Sequence, residues 1–222
     1  TATVLRSMGE TGPFSESRPL ERQELELDEP GPGELLVKVG AAGLCHSDLS
    51  VITGQRPRVM PMALGHEAAG EVVAAGSGDS AFSEGDRVVL AFVPACGRCH
   101  FCLLGRPALC EPGGAANNAG TLLSGRCCMH DSDGKVVFHH LGVSAFADHI
   151  VVSEHSAVKV PADLPYEIAA LFGCAVLTGA GALLNTAAEA LPAGSVAIFG
   201  LGGVGLSALI AAKAQGASEI VA

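Results

Sequence analysis

The sequence predicts an α/β fold in two parts, a β-rich part followed by the beginning of a parallel α/β sheet. Up to about residue 160, short apolar runs alternate with turns that contain Gly and Pro, a pattern typical of a β-barrel or β-sandwich. After "VPADLP", an apolar stretch with helical periodicity precedes a strand, a helix and a second strand, the order of a βαβ unit. We therefore divide the chain into domains 1–160 and 161–222.

Each predicted element has its own stretch of sequence. Strands of the first domain are predicted at "GELLVKVG", "AAGEVVAAG", "GDRVVLAF", "KVVFHH" and "FADHIVVSEHSAVKV". In the second domain, "YEIAALFGCAVLTGAGALLNTA" predicts one or two helices, "SVAIFG" a buried strand, "GGVGLSALIAAKAQGA" a helix and "EIVA" the start of a strand. These last elements cannot complete a doubly wound sheet, so we expect an incomplete second domain and a chain that is part of a longer protein.

Composition and charge exclude some classes of partner. The 222 residues are 49% hydrophobic, which is enough to bury a large core. A formal net charge of −10 disfavours binding to nucleic acid, because Lys and Arg must neutralise its phosphates. The opening "TATVLRSMGETGPFSESRPL" lacks a basic segment followed by an apolar one, so we expect no signal peptide and a cytoplasmic location.

Two long uncharged segments, 168–188 and 190–212, have the length needed to span a bilayer. Both are interrupted by glycines, and the second also contains Pro192. This composition favours buried α/β core, so we expect no membrane partner.

A glycine-rich turn lies between the predicted strand "SVAIFG" and the helix that follows it. A G-x-G-x-x-G pattern in this context predicts a dinucleotide site, because its glycines allow a tight turn and close approach of the pyrophosphate to the helix N-terminus. The alternative is a βα turn that is merely tight. The turn consists of Gly200, Leu201, Gly202, Gly203, Val204 and Gly205.

Four of the eight cysteines lie in "ACGRCHFCLLGRPALC", within a lobe that we place at 94–112. In a cytoplasmic protein, clustered cysteines indicate metal before disulfides, and four thiolates close a tetrahedral zinc shell. Disulfides after secretion and an iron–sulfur cluster are the alternatives. A closed zinc shell has no position for substrate, so the lobe is predicted to be structural. Its ligands are Cys96, Cys99, Cys102 and Cys110.

Outside this lobe, the other chemistry-bearing residues are ambiguous when taken one at a time. Cys45, His66 with Glu67, and Cys174 are scattered along the chain. A lone Cys in an apolar helix is usually core, and a lone His often serves as a hydrogen-bonding residue. The adjacent Cys127 and Cys128 leave a redox-sensing thiol protein as a further alternative.

Taken together and in this order, the motifs resemble the zinc-dependent medium-chain alcohol dehydrogenases. The likeness covers the whole chain and rests on "GLCHSD", "GHEAAGEVVAAG", "CGRCHFCLLGRPALC", "LFGCAVLTGAGA" and "GLGGVG". The stretch "GTLLSGRCCMHDSDGKVVFHHLGVSAFADHIVV" further resembles the branch that holds the animal alcohol dehydrogenases and the glutathione-dependent formaldehyde dehydrogenases. The resemblance implies a β-rich GroES-like catalytic domain followed by a Rossmann cofactor domain, of which this chain has the beginning.

The resemblance also implies roles for individual residues. It implies two zinc ions per chain, a catalytic zinc bound by Cys45, His66 and Cys174 and a structural zinc in the lobe. By the same resemblance, Ser47 would accept the proton of the alcohol and Asp48 would orient His66. Glu67 would lie behind the metal. His46 and Thr178 would contact the cofactor. Three positions depart from the family pattern. Ser50 replaces a histidine that passes the proton to solvent, His46 replaces an arginine, and Asp79 stands where a small apolar or serine residue is usual.

For the substrate, the resemblance implies a pocket lined by Arg56, Phe92, His140 and Leu141. Arg56 and His140 are more polar than the residues usual in simple-alcohol enzymes, so we expect a primary alcohol or aldehyde that is aromatic or carries a polar or anionic group. The alternative is that both side chains point to solvent. The cofactor is expected to be NAD, with NADP left open, and the assembly a homodimer or homotetramer. Alternative functions are an inactive zinc-stabilised fragment and a thiol-dependent formaldehyde dehydrogenase.

Overall fold

The computed structural model describes residues 1–190 and 193–222, which form two compact units. Unit 1 comprises Thr1–Ala170 and unit 2 comprises Leu171–Ala222. The mixed α/β fold predicted from the sequence is confirmed. The domain division at residue 160 stays a prediction.

Unit 1 is rich in strands. They are β1 Ala2–Leu5, β2 Leu20–Gln23, β3 Glu26–Leu27, β4 Glu34–Gly43, β5 Met62–Ala63, β6 Glu67–Ala75, β7 Arg87–Leu90, β8 Met129–His130, β9 Val136–His139, β10 His149–Ser153 and β11 Ala157–Lys159. The five predicted strand runs of the first domain all contain observed strands, whereas β1, β2, β3, β5 and β8 have no counterpart among those runs.

Short helices connect these strands. They are α1 Phe14–Ser17, α2 His46–Ile52, α3 His100–Leu103, α4 Glu111–Ala119 and α5 Tyr166–Leu171, with 3-10 turns at Pro107–Leu109 and Glu154–Ser156. Helix α5 ends at the boundary between the two units.

The strands of unit 1 form two sheets over a shared apolar core. One has the order β2-β1-β5-β9-β8-β3 and the other the order β10-β4-β6-β7-β11. Val4 and Val137 from the first sheet pack in one cluster with Leu35, Val72 and Ile150 from the second, and all five are completely buried. Side chains that alternate inward from two facing sheets are typical of a β-sandwich, one of the two predicted architectures.

Two strand pairings in unit 1 position the candidate site. Strand β5 pairs in parallel with β9, with Ala63 opposite His139, and therefore brings the turn after β9 beside residues 63–66. Strand β4 pairs antiparallel with β6, with Gly43 opposite Glu67, and brings the start of α2 to the same place. Residues that are distant in sequence meet at this corner of the fold.

Unit 2 contains a βαβ unit. Its strands β12 Ser195–Ala197 and β13 Glu219–Val221 pair in parallel, and α7 Gly203–Ala214 connects them. Helix α6 Leu177–Gly181, π-helical turns at Phe172–Val176 and Ala182–Thr186, and a 3-10 turn at Ala188–Ala190 precede them. The expectation that "SVAIFG" forms a buried strand is wrong here, since Phe199 is 99% exposed and β12 has a single partner strand among the described residues.

One continuous helical stretch, Tyr166–Thr186, is long and apolar enough to cross a membrane. Only 33% of its most apolar window is buried. Length and composition alone are weak evidence, since core helices of soluble proteins meet the same criterion. The expectation of no membrane partner stays a prediction.

Candidate metal and cofactor sites

The four-cysteine lobe, residues 94–112, brings its predicted ligands together. The four sulfur atoms all lie within 4.8 Å of one another. Helix α3 begins directly after Cys99, and Cys110 occupies the N-cap of α4, where its sulfur accepts the Gly113 N–H at 3.4 Å. The short helices therefore fold the chain back on itself within a few residues.

Backbone amides and the neighbouring sulfurs govern the ionisation of the lobe. Cys96 N–H donates to the sulfur of Cys110, and Cys99 N–H donates to the sulfur of Cys96, both at 3.3 Å. Hydrogen bonding from the Cys102 amide lowers the pKa of Cys99 to about 6, whereas desolvation and the adjacent thiols raise the pKa of Cys102 to about 12. Four such thiols ionise together only beside a cation, so the donor set fits a closed zinc shell.

A second group of candidate ligands lies at the corner of unit 1 where α2 meets the approach to β6. Cys45 is the N-cap residue of α2, and His66 lies directly before β6. Their ligand atoms are within 4.8 Å of each other. His66 is almost completely buried, so its orientation is fixed by its neighbours.

Asp48 is the residue that orients His66. Its Oδ1 lies 3.2 Å from His66 Nδ1 and accepts the N–H of Gly65 at 3.1 Å. Burial alone would raise the pKa of Asp48, but the His66 hydrogen bond, the His66 and His140 charges and the Gly65 amide outweigh it and hold that pKa below its usual value. A carboxylate on one nitrogen of a histidine directs the other nitrogen towards a metal, so this pair fits a metal site.

Gly65 allows this arrangement because it has no side chain. Its φ is +92°, and a Cβ at this position would lie 2.6 Å from the Phe146 backbone nitrogen. Any other residue would be strained here and would displace the backbone that carries His66.

The remaining predicted catalytic residues flank this corner. Ser47 is half-buried in the first turn of α2, and Glu67 is buried at the start of β6. Gly43 leaves room for Glu67, since a Cβ there would lie 2.6 Å from Glu67 Oε2. Ser50 donates its hydroxyl to the His46 carbonyl oxygen at 3.0 Å, and His46 is exposed.

Of the four residues predicted to line the substrate pocket, two contact His66. The Phe92 ring lies 5.8 Å from the His66 ring and the His140 ring lies 5.4 Å from it, both edge-on. Leu141 is buried beside His140, and Arg56 is exposed after α2, where its N–H donates to the Ser50 carbonyl oxygen at 2.9 Å.

His140 is more deeply buried than a residue lining an open cleft. Its side chain has no exposed surface, and its Nε2 lies 3.4 Å from Asp48 Oδ1. Burial is the main reason that the pKa of His140 is lowered to about 4. The negative charge of Asp48 acts in the opposite direction, whereas the positive charges of His66, Arg58 and Arg56 lower this pKa further. His140 is therefore neutral at pH 7.

Sequence reasoning missed two features of this corner. It did not anticipate the contact between His140 and Asp48, which the β5–β9 pairing produces. It also passed over Arg58, whose Nε is buried without a hydrogen-bond partner among the described residues. The sequence did contain a signal for Arg58, because "RPR" places two arginines close together in a chain whose net charge is −10.

Unit 2 carries the other predicted site residues. Cys174 is buried in the π-helical turn Phe172–Val176, and Thr178 is exposed on α6. A π-helical turn inside an α-helix shifts the side chains that follow it and is frequent at functional sites.

The glycine-rich turn of unit 2 connects β12 to α7. Gly200 has a φ of +95°, and Gly202 is the N-cap residue of α7. A Cβ on Gly205 would lie 1.9 Å from the Gly200 carbonyl oxygen, so a side chain there would prevent the turn from closing. A Cβ on Gly202 would meet nothing within 4 Å, which leaves its backbone accessible. Gly203 and Val204 begin α7.

Curated proteins that are similar in sequence to this chain are dehydrogenases. The chain is 43% identical over 217 residues to the putative alcohol dehydrogenase D of Mycobacterium tuberculosis (strain ATCC 25618 / H37Rv), covering 94% of this chain and 56% of that protein. It is 37% identical over 210 residues to the S-(hydroxymethyl)glutathione dehydrogenase of Escherichia coli O1:K1 / APEC, with the same coverage. The chain thus spans about half the length of these curated relatives.

Solved structures show the same likeness. An alcohol dehydrogenase zinc-binding domain protein from Burkholderia ambifaria superposes with a TM-score of 0.89 at 37% identity, covering 99% of this chain and 57% of that one. The benzyl alcohol dehydrogenase of Acinetobacter calcoaceticus superposes with a TM-score of 0.83 at 38% identity, covering 99% and 56%.

The family model described as the alcohol dehydrogenase GroES-like domain matches residues 31–162. This range includes Cys45, His66 and the four-cysteine lobe, and it falls within unit 1. The resemblance inferred from the motifs is confirmed, and the chain belongs to the alcohol dehydrogenase family with a GroES-like domain.

Proposed function

We propose that the protein is a zinc-dependent alcohol dehydrogenase that interconverts a primary alcohol and an aldehyde by hydride transfer with a nicotinamide cofactor. The observation that carries the proposal is the Asp48–His66 pair at 3.2 Å, with the Cys45 ligand atom close to that of His66. Histidine oriented by a carboxylate, next to a thiolate, is a donor set suited to catalytic zinc.

Three residues of this chain would hold the catalytic metal: Cys45, His66 and Cys174. The four-cysteine lobe would hold a second, structural zinc, giving two per chain. A zinc ion with three protein ligands lowers the pKa of an alcohol hydroxyl, and a nicotinamide ring accepts the hydride. Asp48 would keep His66 in the tautomer that binds metal, and the buried Glu67 would lie behind the ligands.

Ser47 would take the hydroxyl proton, because it lies in the first turn of α2 between Cys45 and Asp48. The next step differs from the family pattern, since Ser50 replaces a histidine. The Ser50 hydroxyl donates to the carbonyl oxygen of His46, so it already has an acceptor within the helix. We propose that the proton leaves Ser47 through water or a cofactor hydroxyl.

The glycine-rich turn of unit 2 would hold the cofactor pyrophosphate. Its support is the positive φ of Gly200, the open backbone at Gly202 and the N-terminus of α7, which attracts anions. Residues 200 and 202–205 form the predicted contact, with Thr178 and His46 as further cofactor contacts. We propose NAD as the cofactor, with NADP as the alternative.

The proposed substrate is aromatic or carries a polar or anionic group. Arg56 and Arg58 support an anionic group, because neither forms an ion pair with an acidic side chain in the described part of the chain. Phe92, packed edge-on against His66, supports an aromatic one. With Leu141, these are the side chains that we propose to face the reacting alcohol, and we place the completely buried His140 behind them rather than at the pocket surface.

The first experiment measures metal and turnover together in the full-length protein. We expect two zinc ions per chain, and a loss of alcohol-dependent nicotinamide reduction in Cys45→Ser with one zinc retained. Cys127→Ser is the matched control, since Cys127 belongs to neither ligand group and should keep both zinc ions and full turnover. Wild-type protein that binds two zinc ions but oxidises no alcohol would contradict the proposed function.

The second experiment tests the substrate class with paired neutral and carboxylated alcohols of equal size. We expect higher kcat/KM for the carboxylated partner and loss of that preference in Arg56→Leu, while the neutral partner is unaffected. S-(hydroxymethyl)glutathione is an additional substrate, because the Escherichia coli relative is named for it. Equal efficiency for both partners, unchanged by Arg56→Leu, would contradict the anionic substrate.

Location and assembly are proposals that rest on the sequence and the family. We propose a cytoplasmic homodimer or homotetramer that binds a small-molecule alcohol or aldehyde and neither nucleic acid nor membrane. Sedimentation of the full-length protein tests the assembly.

A further inference from the structure

His140 is a completely buried polar side chain that is not among the proposed metal ligands. Its Nε2 lies 3.4 Å from Asp48 Oδ1, a distance at the long end for a hydrogen bond. Neither ring nitrogen has a well-aligned hydrogen bond within residues 1–190 and 193–222. A buried polar group in this condition destabilises a fold, so its presence needs a reason.

The turn that carries His140 is strained and firmly anchored. Leu141 has a φ of 53° and Ser144 a φ of 56°, both in the left-handed region that residues other than glycine rarely adopt. The His140 N–H donates to the Ser144 hydroxyl, which donates to the Ala63 carbonyl oxygen, each at 2.8 Å. Such strain persists where surrounding contacts enforce it, often at functional sites.

The anchor is the chain segment that leads to the proposed ligand His66. Ala63 ends β5, and only Leu64 and Gly65 separate it from His66. The two Ser144 bonds therefore anchor the backbone of His140 to the segment that carries His66, and the two rings lie edge to face with 5.4 Å between their centroids. A shift of this segment would move both histidines together.

Asp48 has an uneven set of partners. Its Oδ1 accepts the Gly65 N–H at 3.1 Å, faces His66 Nδ1 at 3.2 Å and faces His140 Nε2 at 3.4 Å. Its Oδ2 has no hydrogen-bond partner among the described residues. The Cβ–Cγ torsion of an aspartate is intrinsically broad, so the direction of its oxygens is set by the donors around them, here all on Oδ1.

We propose that His140 is a positioning residue, whose Nε2–H holds Asp48 Oδ1 in place so that the carboxylate stays aimed at His66 Nδ1. The inference rests on the proposed function, because it concerns the orientation of a metal ligand. The Nε2–H tautomer is assigned from the carboxylate that it faces. Hydrogen bonds of this kind are often long without ligands and tighten when the site is complete. His140 thus acts on the reaction through Asp48 and His66.

Two substitutions in the full-length enzyme separate this role from simple packing. His140→Phe keeps the size of the ring and removes the N–H, whereas His140→Gln keeps an N–H donor of similar reach. The matched control is His139→Phe, because His139 is equally buried but its Nε2 accepts the Cys128 N–H at 3.0 Å instead of contacting Asp48. Visible spectra of the enzyme with cobalt in the catalytic site, zinc loss to a chelator, Tm, kcat and KM are measured for each.

We expect His140→Phe to shift the cobalt absorption bands, to accelerate zinc loss from the catalytic site and to lower kcat by about 10- to 100-fold, with KM close to wild type. His140→Gln should restore most of the spectrum and of kcat. His139→Phe should lower Tm and leave the cobalt spectrum unchanged.

A wild-type cobalt spectrum and wild-type zinc retention in His140→Phe would overturn the inference, as would a His139→Phe enzyme with the same spectral shift. If His140→Phe does not fold, the cobalt spectra of His140→Gln and His140→Leu are compared instead, since only the first keeps an N–H donor. Equal spectra for these two variants would overturn the inference. Absence of alcohol oxidation in the wild-type enzyme contradicts the proposed function instead, which distinguishes the two failures.

Discussion

In the four-cysteine lobe, every donor lies between residues 96 and 110, whereas Cys45 and His66 come from the start of α2 and the approach to β6. The lobe sulfurs are supported by nearby backbone amides of the same segment. His66 instead depends on Asp48, on Gly65 and on a turn near residue 140. One site needs a short loop, and the other needs the assembled core of unit 1.

This difference predicts what each site does when it is damaged. Loss of a lobe ligand should lower stability before it lowers turnover, because a closed metal shell contributes directly to folding free energy. Loss of a ligand or a supporting group at the Cys45–His66 site should lower turnover before it lowers stability, because the apolar core of unit 1 is built from other side chains.

The largest expected effect is that of Cys45→Ser on turnover. Serine is a poor zinc ligand, and the loss of metal-based charge stabilisation, worth several kcal/mol, lowers kcat/KM by roughly 10³-fold or more. Circular dichroism and Tm should remain close to wild type. A Cys45→Ser enzyme of normal rate would refute the assignment.

The next effect is that of Cys102→Ser on stability. We expect the loss of one zinc per chain and a fall in the free energy of unfolding of about 4 kcal/mol, measured by urea titration. Cys127→Ser is the control outside the lobe. If Cys102→Ser keeps its stability and loses turnover alone, the structural role is wrong.

A smaller effect is expected for Asp48→Asn. The amide keeps the shape of the carboxylate but removes the charge that stabilises His66 as a ligand, so zinc affinity or kcat should fall by about 10- to 100-fold. Asp86→Asn is the surface control, because Asp86 pairs with the exposed Lys159 at 2.7 Å and accepts the Ser83 N–H at 2.8 Å instead of contacting His66. Equal activity for the two variants would show that the Asp48–His66 contact has no role in the reaction.

The smallest effect concerns pH and the buried His139. Burial lowers the pKa of His139 to about 4 from an ordinary value of 6.5, so the neutral form is the one compatible with the fold. Because the unfolded chain takes up a proton in this window, stability is complete above about pH 6.5 and is lost as the pH falls towards 4. When the pH falls from 7 to 5, the free energy of unfolding should decrease in both proteins, and the decrease should be about 1–2 kcal/mol smaller in His139→Gln than in the wild type. Urea titration at the two pH values measures it.

The sequence could predict those features of the fold whose residues lie within one short segment of the chain. The lobe and the glycine-rich turn are local, because their ligands and glycines lie within one short segment, and the structure brings them together. The strand runs with alternating apolar residues contain the observed β4, β6, β7, β9, β10 and β11.

The rest could not be predicted because it depends on pairing between distant segments. The parallel β5–β9 pair has only two residues in β5, too few to carry a period, yet it places His140 beside Asp48. The burial of "SVAIFG" was predicted wrongly because apolar composition reports what a strand prefers to contact. It does not report whether neighbouring strands are present, and Phe199 remains 99% exposed.

Gly65 has a consequence for engineering. It is not among the proposed metal ligands or pocket residues, but its positive φ and its closeness to Phe146 leave no room for a side chain, and its N–H donates to Asp48 Oδ1. A library that diversifies residues around Phe92 and Arg56 to change substrate preference can therefore spare this position. In a saturation-mutagenesis map it would stand out as intolerant in the same way as the ligand that follows it.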